Sequence, residues 1–347
     1  MENNIGKFEQ LCKDFNKKFK GELIHKGVSE YSYKRIPFTS PRINYITYGG
    51  IPEGKLIEFY GEEHGGKTTT ALDIVANYQK LYDRTVLYVD TENTLDTEWA
   101  KKLGVNVEEL YILSPTNQSA EDIFQFILDA IDTGLIGLCV IDSLGVMVSD
   151  QALNKEIIEK TYGGIAMALT NFSKKAEMLC QRTKTTVIGI NQMRDDLSSS
   201  YGGMTTTGGK AWKHNTSVRM EFRKGTYIDE DGHQLNSRAE SPAGNIIQVA
   251  MTKNKTCPPK RRTGFYTLLY DTGVDYISDY IDVAIRFGII KQSGGWYDII
   301  NIETGELIIG KLHGINAVKD YLIDDVNKEQ VKRITAHINV MISDYNV

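Results

Sequence analysis

The chain is predicted to be an α/β protein built on a mostly parallel sheet with helices on both faces. Three observations predict it. A complete G-x-x-x-x-G-K-[ST] phosphate loop, Gly61-Glu62-Glu63-His64-Gly65-Gly66-Lys67-Thr68, lies between a strand-like and a helix-like run. Short apolar runs alternate with helically spaced segments over residues 56–191, the signature of a covered parallel sheet. Apolar runs also end in acids, as in Leu138-Cys139-Val140-Ile141-Asp142, where such a sheet presents its carboxyl edge.

Residues 3–20 place Ile5, Phe8, Leu11, Cys12, Phe15 and Phe19 at helical spacing among lysines, which predicts an amphipathic helix. A polar connector with Pro37 and Pro41 occupies 21–45. Strands are expected at Leu56–Tyr60, Thr85–Asp90, Leu110–Leu113, Leu138–Asp142 and Thr186–Asn191, with helices at 68–81, 97–103, 119–132 and 163–181. Residues 193–209 are rich in Ser, Thr and Gly and have no periodicity; a structureless loop of that length inside a compact domain is either functional or a mistaken assignment. Antiparallel strands are expected at 217–228, 245–252 and 264–270, then a tail of short helices with a hairpin around Trp296–Ile309. The expected domains are an N-terminal helix and oligomerisation arm (1–34), an ATPase core (35–270) and a small α+β C-terminal domain (271–347).

Composition narrows the class. With 41% hydrophobic and 24% charged residues the chain is an ordinary globular protein. No apolar run approaches the roughly 20 residues of a membrane span, and the N-terminus carries no signal-peptide pattern. Cys12, Cys139, Cys180 and Cys257 are too scattered for a zinc site or disulfide framework, so a cytoplasmic location is expected. Residues 271–347 hold twelve acids and seven Lys or Arg, a balance of −5 that equals the whole-chain net charge of −5 and leaves 1–270 neutral. Within that neutral part Lys253, Lys255, Lys260, Arg261 and Arg262 follow one another with no acid between them. Such a run is most often a solvated face.

The phosphate loop defines the chemistry. Its backbone N–H groups, reinforced by the dipole of the following helix, cradle phosphate, and Thr69 continues that helix start. Lys67 would reach the β- and γ-phosphates of ATP, and the Thr68 hydroxyl would ligate Mg²⁺. Asp142, at the carboxyl edge of the sheet, would hold the Mg²⁺ shell through water. A base must orient water, and the strand ending in Asp90-Thr91-Glu92 offers Glu92, with Asp90 as a rival that spacing alone does not separate.

Further residues carry a resemblance to the bacterial RecA recombinases over about residues 35–310. Glu92-Asn-Thr-Leu95-Asp96-Thr-Glu-Trp99 is followed by Lys102-Leu103-Gly104-Val105, Asp142-Ser143, Ile190-Asn191-Gln192, Thr205 to Ala211, Lys253-Asn254-Lys255 and Gly294-Gly295-Trp296-Tyr297, in the family's order and near its spacing. The resemblance implies a RecA-like core with ATP and Mg²⁺ as cofactors. It implies that Glu92 activates water, that Trp99 stacks on adenine and that Asp96 meets the base. Gln192 would sense the γ-phosphate and pass its state to the following loop, and Lys253 and Lys255 would reach the ATP of a neighbouring subunit. Two DNA-binding loops are implied. One lies at 154–163, with Tyr162 and Gly163; the other at 193–209, with Arg194, Ser198, Ser199, Ser200, Thr205, Thr206, Thr207, Gly208 and Gly209. The N-terminal helix resembles the arm that packs on the next subunit.

Departures are concentrated at the loops. The second is one residue short and holds Asp195-Asp196, an unusual choice beside a phosphate backbone. The first shares little beyond Gly163, and Tyr162 could stack on a base. His214 stands where the family has an aromatic that couples subunits, His64 is atypical and solvent-facing, and the acidic tail of many members is missing. These suggest a divergent member, from a phage or other mobile element. The implied activity is a DNA-dependent ATPase. It forms homo-oligomeric helical filaments on single-stranded DNA and catalyses pairing and strand exchange with homologous double-stranded DNA. The alternatives are a ring helicase or translocase on the same core, and a nucleotide-loaded filament serving as an interaction scaffold.

Overall fold

A computed structural model of the chain describes residues 2–19, 24, 33–154, 164–195, 203–301 and 303–344. It divides into two compact units, Met1–Lys34 and Arg35–Val347. In the first, helix Glu2–Lys18 carries the amphipathic pattern, and its Ile5, Phe8, Leu11, Phe15 and Phe19 are all exposed. Phe15 and Phe19 lie with ring centroids 4.7 Å apart, one helical turn along the same face.

The second unit is built on one large sheet. Its main strands are β1 (Leu56–Gly61), β2 (Thr85–Asp90), β3 (Leu110–Leu113), β4 (Ile136–Asp142), β5 (Thr186–Asp195), β6 (Val218–Ile228), β7 (Gly244–Asn254), β8 (Thr263–Leu269) and β9 (Gly273–Val274). Their spatial order is β9-β8-β7-β6-β1-β5-β4-β2-β3. The six strands from β6 to β3 are parallel, and β7, β8 and β9 add antiparallel neighbours.

Side chains alternate across this sheet, so it has two cores. Ile57, Phe59, Val86, Tyr88, Val140 and Ile188 pack with helix Lys67–Leu81 on one face. Leu56, Leu87, Val89, Cys139, Ile141 and Val187 pack with helices Ala120–Asp132 and Gly164–Thr183 on the other. Ser119 starts the first of these two helices with a capping box, its side chain and that of Asp122 each taking the other's backbone N–H.

Two sequence expectations change. Residues 217–228 were expected to be antiparallel; β6 is antiparallel to β7 but runs parallel to β1. The reason is the connection before it, where helix Gly209–Asn215 carries the chain back to the starting end of the sheet, as a parallel pairing requires. The aperiodic 193–209 segment is not wholly irregular. β5 continues through Asp195, and a short strand Met204–Thr206 returns antiparallel, pairing Met193 with Thr206 and Arg194 with Thr205.

Beyond Asp275 a third core forms. Helix Tyr276–Arg286 and a three-stranded sheet, β10 (Ile290–Ser293), β11 (Trp296–Ile300) and β12 (Leu307–His313), enclose Ile281, Ile290, Ile299 and Val318 with helix Lys328–Ser343. The expected hairpin thus has a third strand, β10, joined to β11 through Gly294-Gly295, with Gly294 at φ +60°. We propose that residues 271–347 form a small lobe of their own, on the strength of this separate core.

Candidate active site

Gly61 ends β1 at φ +152°, and a Cβ there would sit 2.0 Å from the Phe222 carbonyl oxygen of the adjacent strand. Gly66 has φ +85° and forms the N-cap of helix Lys67–Leu81 with no side-chain hydrogen bond to the first turn. The opening amides of that helix are therefore left for an anion. Glu62, Glu63 and His64 are exposed, and His64 takes a left-handed backbone, φ +58°. The loop contributes backbone at these positions.

Lys67 is buried, and its Nζ donates to the Glu62 carbonyl at 2.5 Å, folded over its own loop. Burial lowers its pKa, and the Asp142, Glu63 and Glu92 carboxylates oppose that shift. The Thr68 hydroxyl donates to Asp142 Oδ2 at 2.7 Å. Tyr88, buried within β2, donates its phenol to the same oxygen at 2.8 Å. Burial raises the Asp142 pKa, and these two donors counter it. A hydroxyl and a carboxylate in contact beside an anion cradle are oxygen donors suited to a hard divalent cation such as Mg²⁺.

The β2 edge separates the two acids that spacing left equivalent. Asp90 is buried, and its carboxylate accepts from Thr94 N at 3.2 Å and Leu95 N at 2.9 Å, so it ties down the following loop. Glu92 is exposed. Its Oε1 accepts from Ser143 Oγ at 2.7 Å and lies 3.4 Å from Gln192 Nε2. Three neighbouring strands thus converge on one carboxylate: β2 leads to Glu92, β4 to Ser143, and β5 carries Gln192.

A cavity of about 430 Å³ opens beside the loop. His64 to Thr69 line one side; Trp99, Lys224, Asn245, Leu268 and Tyr270 line the rest. The Trp99 indole N–H donates to Thr69 Oγ1 at 3.4 Å, which holds a planar ring at the helix start. Asp96 is outside that lining; its Oδ1 accepts from Glu98 N and Trp99 N and caps helix Thr97–Lys102. It acts on the cavity by orienting the turn that carries Trp99. A larger concavity of about 1040 Å³, bordered by Arg42, Arg223 and Arg286, holds none of the phosphate-loop groups.

Lys253 Nζ donates to the carbonyls of Lys213 and His214 at 2.6 and 2.8 Å, and Lys255 Nζ to that of His214 at 3.0 Å. Both cations sit on the C-terminal end of helix Gly209–Asn215, where the dipole favours them. Burial lowers the Lys253 pKa to about 8, assisted by Lys255 and Arg219. Of the loop residues, Arg194 donates to the Gly145 carbonyl at 3.1 Å, Thr205 and Thr206 lie on the returning strand, Thr207 follows in the turn, and Gly208 caps the helix that Gly209 starts. Tyr162, Gly163, Ser198, Ser199 and Ser200 lie outside the described residues.

Sequence reasoning gave no role to Tyr88, Lys224 and Tyr270, and quoted Ser143 only as part of the Asp142-Ser143 motif. Tyr88 meets Asp142 only because β2 pairs with β4 in a register that sets Asp90 opposite Asp142. Lys224, on β6, and Tyr270, in the turn after β8, come from far along the chain and fold back beside the loop.

The RecA N-terminal domain model matches residues 8–275. Protein RecA of Mycoplasma mycoides is 32% identical over 342 residues, covering 95% of this chain and 93% of that one. Protein RecA of Fusobacterium nucleatum is 35% identical over 80% of this chain and 71% of its own, and that of Chlorobaculum tepidum 36% over 74% and 71%. No described helix is long and apolar enough to cross a membrane. The match runs through the sheet, Thr68, Asp142 and the threonine hairpin alike, and the chain belongs to the RecA family of ATP-dependent recombination proteins.

Proposed function

We propose that the protein is a DNA-dependent ATPase, assembling as a homo-oligomeric filament on single-stranded DNA and exchanging that strand with homologous duplex. The observation that carries this reading is the convergence of Ser143 and Gln192 on Glu92, because Gln192 lies on the strand that runs directly into the threonine hairpin. A group at the reacting edge is thereby joined covalently to the segment proposed to touch DNA.

In this reading the loop amides and Lys67 hold the phosphates of ATP, and Trp99 covers the base. Thr68 and Asp142 would hold Mg²⁺, which supplies neutralisation of the phosphate oxygens when bound. Glu92 takes the proton of the attacking water, while Ser143 fixes one of its oxygens and keeps the other free. Gln192, within reach of the same carboxylate, turns between Glu92 and the γ-phosphate. Lys253 and Lys255 stand ready to meet the ATP of a neighbouring copy, so turnover would require assembly. Arg194 and Thr205 to Gly209 would grip the DNA backbone, leaving sequence choice to base pairing. Protein RecA of Mycoplasma mycoides matches across 95% of the chain, which does not favour a ring helicase or a scaffold that merely shares the core.

The test is ATP hydrolysis with and without single-stranded DNA, with negative-stain images of the same samples. Stimulation together with helical filaments is expected. Stimulation with closed rings, or no response and no filaments, overturns the reading.

A further inference from the structure

β1 reads Leu-Ile-Glu-Phe-Tyr-Gly, and the acid in its middle is fully buried at the centre of a parallel sheet. A carboxylate there needs a partner. Glu58 has two. Its Oε2 accepts from Arg219 Nε, the residue directly opposite on β6, and its Oε1 accepts from Asn191 Nδ2 at 3.0 Å. Both partners then reach the returning arm of the hairpin, at its last strand residue and the turn after it. Asn191 Nδ2 also donates to the Thr207 carbonyl at 2.8 Å, and Arg219 Nη2 lies 3.4 Å from Thr206 Oγ1. The guanidinium is held by the Tyr60 ring, 4.6 Å away. Glu58 stands three residues before Gly61, and Asn191 is adjacent to Gln192, so one buried carboxylate joins the phosphate-loop strand, the Gln192 strand and the threonine hairpin.

The network is also incomplete. Asn191 Oδ1 and Thr207 Oγ1 are both buried and make no hydrogen bond among the described residues. Neighbouring unmade bonds at one end of an otherwise satisfied network mark where the hairpin can reseat and gain what it lacks here.

We propose that Glu58, Arg219 and Asn191 are positioning residues that seat Thr206 and Thr207 of the hairpin on the ATPase core, so that DNA on the hairpin alters the placement of Gln192. The assignment rests on the DNA-dependent ATPase reading above. Arg219 serves it through its fork, one nitrogen on Glu58 and another on Thr206. A lysine would keep the ion pair but could not span both.

The experiment measures ATP turnover of Arg219→Lys and Asn191→Ser with and without a saturating poly-dT strand, alongside KM for ATP and thermal midpoints. DNA-free turnover and KM should stay within about twofold of wild type, while stimulation by DNA falls by about tenfold, a typical size for coupling between sites. The double variant should be no worse than the more affected single one, since both act through Glu58. If DNA-free and DNA-stimulated rates fall together with the thermal midpoint, the pair is structural only and the proposal is overturned. If both variants keep full stimulation, it is overturned while the ATPase reading stands. If the wild type itself ignores DNA, the ATPase reading fails and this assignment goes with it.

Discussion

Tyr88→Phe isolates one hydrogen bond at the metal-side carboxylate. The ring is 1% exposed and packs in the core between β2 and β4, so removing its hydroxyl leaves no cavity of consequence. What is lost is a 2.8 Å donation to Asp142 Oδ2, an oxygen that otherwise accepts only from Thr68 among the described residues. A hydrogen bond to a charged group is worth about 1.5–3 kcal/mol. If Asp142 holds Mg²⁺, that loss appears as weaker metal binding, and at about 1.4 kcal/mol per decade it predicts roughly a 10–100-fold rise in half-saturating Mg²⁺. The range agrees with what removing outer support from metal ligands usually costs, about 10–100-fold. The assay is Mg²⁺ titration of fluorescent-nucleotide binding without DNA, with thermal unfolding as control. Half-saturation within about twofold of wild type would refute the reasoning, because the bond would then be one that packing makes and the metal ignores.

Lys67→Ala should abolish ATP turnover while the protein keeps its fold, checked by steady-state hydrolysis and circular dichroism. Glu92→Gln should bind ATP normally and turn over about 10²–10⁴-fold more slowly, and single-turnover rates near wild type would move the base elsewhere. Lys253, with its pKa lowered to about 8 by burial, should lose its charge as pH rises through 8, so DNA-stimulated turnover should decline with a midpoint there. The sign for folding is opposite: an unfolded lysine keeps its proton to about 10.4, so stability gains as pH rises from 8 toward that value. Lys253→Arg, which keeps its charge, should move the decline upward; an unchanged pH profile would remove Lys253 from turnover.

Local pattern was enough for whatever depends on neighbours in the chain. The phosphate loop, its strand and its helix are one continuous segment, and residues 56–81 adopt the order their pattern prescribes. What went unread depends on which strand lies beside which. Nothing near Tyr88 announces Asp142, since the two meet through a pairing between residues 54 apart. The parallel run of β6 beside β1 was hidden likewise, because an isolated strand carries no mark of its neighbour's direction, and only the intervening helix decides it. Glu58 is the instructive exception. A carboxylate inside a run read as a buried strand was a visible contradiction, since a charge does not enter a sheet's centre unpaired. The pattern therefore already implied a hidden cation and left its address unknown. Arg219 lies 161 residues on, and only the closed sheet sets it opposite Glu58. Polar residues that violate an otherwise buried pattern are thus the places where a sequence states that a long-range partner exists, and in this chain that partner leads to the hairpin on which the DNA response is proposed to depend.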